Sequence, residues 1–223
     1  MTQQSMQEPL ILYTYWRSSA AFRVRIGLHL KGLAHQDNFV HLVKDGGEQH
    51  LPAFTALNPQ GLIPVLQVGP VAVSQSLAIL EYLDEVAPEP RLLPGTALER
   101  ARIRSLALAV ACDIHPINNL RVGQHLGATF GADAAAKVAW MQHWMQVGFS
   151  ALEARLAAEA QTGLCCHGDT PTLADVCLIP QCYNALRFGL DLQTWPTLAR
   201  IFAHCRILPA FAAAWPEAQP DVA

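Results

Sequence analysis

The chain has 223 residues, of which 52% are hydrophobic and only 15% charged, so it can bury a sizeable core and is too apolar to remain disordered. A formal net charge of -3 excludes the basic excess that a nucleic-acid or acidic-membrane partner would require. The longest apolar run, Leu106 to Cys112, is far too short to cross a bilayer, so no membrane span is expected.

In chain order, Met1 to Pro9 are polar, with no basic start and no apolar centre. They predict a frayed segment and not a signal peptide. Leu10 to Thr14 reads as a short buried strand. Ser18 and Ser19 then resemble a helix cap ahead of Ala21 to Lys31, which is apolar nearly all round apart from Arg23 and Arg25. Phe39, Val40 and Leu42 suggest a second strand, and Lys44-Asp45-Gly46-Gly47 a loop. Pro52 to Leu57 predicts a short helix, and Asn58-Pro59-Gln60-Gly61 a turn. Ile63 to Val68 and Val71 to Ser74 predict two strands joined across Gly69-Pro70. Gln75 to Val86 predicts a helix with Leu77, Leu80 and Leu83 on its buried side. The order β-α-β-α-β-β-α contains a crossover, which implies a parallel strand pair.

Pro88, Pro90, Pro94 and Gly95 then mark a linker. Beyond it, helix-type periodicity covers Ala97 to Cys112, Ala132 to Ala160, Leu173 to Phe188 and Pro196 to Ala203. The prediction is two domains: an α/β unit over residues 8–88 and an all-α unit over 95–220. Thr172-x-x-Asp175 ahead of an apolar run is a capping box, assigned to folding and not to chemistry.

Six cysteines accompany the lack of an export signal. This predicts a cytoplasmic protein with reduced thiols, mostly packed in the core. A zinc site at Cys165, Cys166 and His167 has the wrong spacing, and no metal is expected. Of 15 basic residues only Lys31, Lys44 and Lys137 are lysines. The arginine bias suits bidentate recognition of carboxylates, and a high-GC genome would produce it equally well.

The stretch Arg17-Ser18-Ser19-Ala20-Ala21-Phe22-Arg23-Val24-Arg25-Ile26 resembles the signature of the zeta-class glutathione transferases, Ser-Ser-Cys followed by Arg-Val-Arg-Ile. Leu42 to Gln49, Asn58-Pro59, Ile63-Pro64, Gln75 to Ile79, Asn118-Asn119-Leu120 and Gly168-Asp169 resemble the same class, in the same order. The likeness runs from about Leu10 to Asp221. It implies a thioredoxin-like α/β domain followed by an all-helical domain, glutathione as cofactor, and a homodimer. It also implies a reaction, the cis–trans isomerisation of maleylacetoacetate, a step of tyrosine and phenylalanine catabolism. In that reaction a thiolate adds to an alkene carbon, the former double bond rotates, and the thiolate leaves. One departure stands out: the family cysteine is replaced by Ala20. Any role that needs a protein thiol there is closed, whereas the isomerisation borrows the sulfur of glutathione.

The resemblance and the residue types together nominate a site. Ser18, next to a helix start, can donate its hydroxyl hydrogen to a sulfur anion, or can serve only as a cap; Ser19 is the second candidate. Gln75-Ser76 corresponds to the family grip on the γ-glutamyl end, where a serine hydroxyl and helix N–H groups suit a carboxylate. Ile63-Pro64, with Pro64 cis, corresponds to the backbone that pairs with the cysteinyl unit, and Gln49 to a position near the glycyl end. His115 corresponds to a family position that contacts glutathione or substrate, against the equal alternative of a satisfied structural histidine, and Asn119 in the same segment is a glutathione-binding candidate. Arg17, Arg121 and Arg187 are the candidates for holding a dicarboxylate substrate, each against the alternative of an ordinary surface salt bridge. Three competing functions remain on this reading. They are maleylpyruvate isomerisation, broader conjugating activity, and a non-catalytic glutathione-binding protein.

Overall fold

The computed structural model describes residues 8–222. The expectation for Met1 to Gln7 lies outside the described residues. The chain divides into two compact units. One runs up to Leu92 and includes Leu208 onward; the other is Leu93–Ile207.

The first unit is built on a four-stranded sheet of order β2-β1-β3-β4. Strand β1 (Leu10–Thr14) pairs parallel with β2 (Gln36–Phe39) and antiparallel with β3 (Val65–Val68). Strand β4 (Val71–Ser74) completes an antiparallel hairpin with β3. Helix α1 (Ser19–Leu30) makes the crossover, and α2 (Pro52–Thr55) precedes the Asn58 turn. Helix α3 (Ser76–Val86) packs beside α1. Leu12, Val24, Leu28, Leu66, Ile79 and Leu83 form the shared core of sheet and helices. Gly27 is where the helices come closest, since a Cβ at that position would overlap the Leu80 side chain.

Three expectations need correction. The second strand is Gln36–Phe39, not the apolar stretch after it. Its polar side chains are mostly exposed because it is an edge strand held by backbone pairing with β1, while Val40 turns into a small core with Phe54 and Val65. The helical unit also stops short of 220. Helix α9 (Pro209–Ala214) packs on α1, with Arg25 Nε donating to the Ala214 carbonyl (3.2 Å) and Trp215 edge-on to Phe22 (5.5 Å). Finally, the chain predicted as one helix over Ala97 to Cys112 is α4 (Ala97–Leu108) followed by a wide π-type turn, Ala109–Ile114.

In the second unit, α5 (Leu120–Phe130) follows a 3₁₀ turn at Pro116–Asn118, and α6 (Ala134–Ala158) is the longest helix described. Helix α7 (Leu173–Arg187) is buried along most of its length and packs against α4 and α8 (Pro196–Arg206). No described helix is long and apolar enough to cross a membrane. Five cysteines are buried and Cys112 is exposed, and none is in a disulfide. Burial pushes the Cys182 thiol well up, and burial with the nearby Asp175 carboxylate does the same to Cys166, so both stay protonated. Among the described residues, the group with metal-ligand spacing is Cys165, Asp175 and Cys205, not Cys165, Cys166 and His167. Its carboxylate is already engaged by the cap described next.

Asp175 is fully buried. It accepts from the amides of Cys166 (2.7 Å) and Thr172 (2.8 Å) and from the Thr172 hydroxyl (2.9 Å). The capping box thus also ties the Cys166 loop to the start of α7. Asp175→Ala would orphan these donors in the core. The expected cost is about 2–4 kcal/mol in denaturant unfolding, with turnover per folded molecule unchanged. Selective loss of activity in folded Asp175→Ala protein would contradict this structural assignment.

Candidate active site

The β1–α1 loop carries the first group of residues. Ser18 has extended backbone (φ -73°, ψ 116°) and caps α1, its Oγ accepting from the Ala21 amide at 3.2 Å. That bond uses an oxygen lone pair and leaves the hydroxyl hydrogen available, so capping and donation to an anion are compatible. The first turn of α1 contains no acidic residue, which leaves its partial positive charge uncompensated by its own side chains. Ser19 is buried, and Ala20 follows without a thiol. Arg17 is exposed, its guanidinium 4.9 Å from the Trp16 ring centre and its Nη2 3.4 Å from the Tyr15 hydroxyl.

The start of α3 carries the second group. Gln75 stands at φ 73°, one of two described non-glycine residues with positive φ. A conformation of this kind costs on the order of 1–3 kcal/mol and clusters at ligand sites. It places Gln75 as the N-cap of α3, with its Nε2 donating to Gln60 Oε1 at 3.1 Å. Ser76 is buried and accepts from Arg23 Nη1 at 3.3 Å, so the two helix starts communicate through a buried guanidinium. The Ile63–Pro64 bond ahead of β3 is cis, as the resemblance implied; so is Glu89–Pro90, which the sequence did not reveal. Gln49 is buried, with Nε2 donating to the Leu42 carbonyl at 3.3 Å and lying 3.0 Å from His50 Nε2. Its Oε1 is buried without a hydrogen-bond partner among the described residues, a polar atom available to a ligand.

The remaining candidates lie in the second unit. His115 closes the π-type turn, its amide donating to the Val110 carbonyl at 2.9 Å. Asn119 caps α5, its Oδ1 accepting from the Arg121 amide at 3.2 Å, and Arg121 is exposed in the first turn. Arg187 ends α7, exposed, with its guanidinium 4.8 Å from the Phe188 ring centre. His115, Asn119 and Arg121 therefore share one segment, and Arg187 stands on another helix. A cavity of about 510 Å³ in this unit is lined by Cys112, Ile114, Ile117, Trp144, Leu152 and Arg155 among others, and by none of the predicted site residues.

Sequence reasoning missed two features. Arg23 and Arg25 register in the sequence only as exceptions in an apolar helix, yet both are almost completely buried and hold site elements. Asn118 is also buried, with neither side-chain polar atom hydrogen-bonded. Its place in the quoted Asn118-Asn119-Leu120 motif was the available signal.

Residues 17–86 match the model of the glutathione S-transferase N-terminal domain. A relative from Vibrio cholerae serotype O1, named a probable maleylacetoacetate isomerase, is 54% identical over 95% of this chain and 98% of its own. A solved holo structure of a maleyl pyruvate isomerase, described as a bacterial zeta-class glutathione S-transferase, is 49% identical. It covers 96% of this chain and 100% of its own, with a TM-score of 0.93. A maleylacetoacetate isomerase structure from Methylobacterium extorquens AM1, with bound malonate and glutathione, is 43% identical. It covers 96% of this chain and 99% of its own, with a TM-score of 0.92. With such likeness along nearly the whole length, and a thioredoxin-like unit joined to a helical one, the chain belongs to the zeta-class glutathione transferase and maleylacetoacetate isomerase family.

Proposed function

We propose that this protein is a glutathione-dependent cis–trans isomerase that converts maleylacetoacetate to fumarylacetoacetate. The carrying observation is Ser18: it caps α1 through an oxygen lone pair and keeps its hydroxyl hydrogen for a sulfur anion at a helix N-terminus whose first turn carries no acidic residue. When bound, glutathione supplies the nucleophilic sulfur. Ala20 supplies none, so the thiol must come from outside the chain at that point.

The chain's own residues do the rest. Ser18 donates to the thiolate, with Ser19 as second donor, and the α1 N-terminus lowers the thiol pKa. Ser76 and the first amides of α3 receive the γ-glutamyl carboxylate, with Arg23 behind Ser76 adding positive charge. Ile63 and Pro64 offer backbone to the cysteinyl unit, and Gln49, His115 and Asn119 offer polar atoms to the remainder. Arg17, Arg121 and Arg187 grip the substrate's carboxylates, and the same cations stabilise the enolate charge that develops as the double bond becomes single. Cytoplasmic localisation, a homodimer and a place in tyrosine and phenylalanine breakdown belong to this same reading, supported by family membership. The 49% identity to a maleyl pyruvate isomerase structure favours maleylpyruvate as the second substrate to consider.

Incubating the protein with maleylacetoacetate is expected to give the trans product only when glutathione is present. Product formation without glutathione, or none with it, would overturn the proposal. Parallel kinetics on maleylpyruvate decide the order of preference, and a large excess of kcat/KM for that acid would reverse the assignment.

Ser18→Ala is expected to raise the pKa of the bound thiol, followed by thiolate absorbance. It should also lower kcat about tenfold to a thousandfold, the range for loss of one preorganised donor. If both stay at their wild-type values, Ser18 is not the donor.

A further inference from the structure

The loop that bears Arg17 and Ser18 is held from outside by the last described part of the chain. After α9, the segment makes a 3₁₀ turn at Pro216–Ala218. Gln219, buried, folds its amide back onto the carbonyls of Ala213 (3.0 Å) and Trp215 (2.9 Å). This delivers Asp221 to the β1–α1 loop, where its Oδ2 accepts from the Trp16 amide at 2.9 Å across 205 positions of sequence. Among the described residues the other carboxylate oxygen is buried without a partner, so the contact with Trp16 is the hydrogen bond seen for this carboxylate.

Trp16 is the residue on which the loop turns. Its carbonyl accepts from Arg25 Nη2 at 2.9 Å, and its ring lies under the Arg17 guanidinium. Ser18 follows two positions later, its own amide bound to the Tyr15 carbonyl at 3.0 Å. Trp16 is thus held from both sides, the peptide that precedes it by Asp221 and the peptide that follows it by Arg25. Neither contact touches Arg17 or Ser18, yet both set where those side chains stand.

We propose that Asp221 is a positioning residue for catalysis. By accepting the Trp16 N–H it locks the peptide that aims Ser18 at the thiol and Arg17 at the substrate carboxylate. A charge-assisted acceptor is stronger than a neutral one and directional, which suits a loop that must hold its donor within a fraction of an ångström. The inference rests on the role given to Ser18 and Arg17 above.

The test compares Asp221→Ala with Asp221→Asn in the full chain, with folding checked by circular dichroism. Asp221→Asn keeps an acceptor oxygen in place and controls for a general packing effect. Three readouts are taken: exchange of the Trp16 amide by NMR without ligand, the pKa of the thiol of bound glutathione, and kcat and KM for maleylacetoacetate. Asp221→Ala should expose the Trp16 amide, raise the thiol pKa, and lower kcat/KM about tenfold to a hundredfold, the worth of one charged hydrogen bond. Asp221→Asn, a weaker neutral acceptor, should fall between Asp221→Ala and wild type in each. A folded Asp221→Ala protein with wild-type thiol pKa and kcat/KM overturns the proposal. So does an Asp221→Asn protein as impaired as Asp221→Ala. Wild-type protein inert toward maleylacetoacetate would instead sink the functional reading, while the amide exchange, which needs no ligand, still reports whether Asp221 holds the loop.

Discussion

The Arg25 guanidinium, 1% exposed, is the contact on which the candidate site depends. From α1 it reaches back to the Thr14 hydroxyl (2.9 Å) and to the carbonyls of Tyr15 (3.2 Å) and Trp16 (2.9 Å), and outward to the carbonyl of Ala214 (3.2 Å). A buried cation is costly unless its donors are engaged. Here carbonyl dipoles engage them, and the acceptors belong to the end of β1, the loop that follows and the α9 segment. A guanidinium has five donors in a rigid plane and can serve several acceptors at once, which a lysine ammonium at the same place could not do with the same geometry. Arg23, one turn-half earlier, does for Ser76 what Arg25 does for the loop. The Arg-Val-Arg-Ile stretch therefore sets two charges inside the first unit, each behind a different part of the site.

The first unit was largely legible because its main elements announce themselves locally. Leu10 to Thr14 is apolar, short and bounded, and the strand has those limits. Ser18 ahead of an apolar run behaves as the cap it resembles. Strand β2 was misplaced because Gln36–Phe39 buries little, so hydrophobicity points past it to Val40. The return of Leu208 onward to the first unit is non-local, made by pairs such as Phe22 with Trp215 and Trp16 with Asp221, and no window of sequence contains both partners. Helix α5 escaped notice for another reason: within it only Gly123 is buried, and it also carries Gly127, a poor helix former.

Site residues divide in the same way. Caps are local, so Ser18 and the Thr172–Asp175 box could be read from the chain, whereas the cap at Asn119 went with the unpredicted α5. The positive φ of Gln75 could not, since glutamine has no special taste for that conformation and adopts it here under the constraint of its surroundings. Arg17, Arg121 and Arg187 are all exposed, so nothing in their burial marks them off from ordinary surface cations. Their candidacy comes from the family and from the dicarboxylate chemistry. Arg23 and Arg25 present the opposite case: pattern reading tolerates two charges in an apolar helix, whereas burial makes them the most informative residues on it.

The helix N-termini carry a further pattern. Helix α4 has Glu99 reaching back to the Thr96 amide, and α6 has Asp133 accepting from Ala136. Helix α7 has Asp175 on Thr172, and α8 has Glu153 on the amides of Thr197 and Leu198. Each of these ends is neutralised by a carboxylate of the chain itself, which stabilises the helix and closes it to other anions. Among the described helices longer than eight residues, α1, α3 and α5 begin instead on the neutral residues Ser18, Gln75 and Asn119, and none has an acidic residue in its first turn; the short α2 and α9 also start without one. These three starts hold Ser18 and Ser19, Gln75 and Ser76, and Asn119 and Arg121. A carboxylate at any of them would stabilise the fold by up to about 1 kcal/mol at a surface-exposed end. On the proposed function, the absence of such a carboxylate keeps the N–H groups of α1 and α3 open to a thiolate and to a ligand carboxylate, for which a built-in carboxylate would compete.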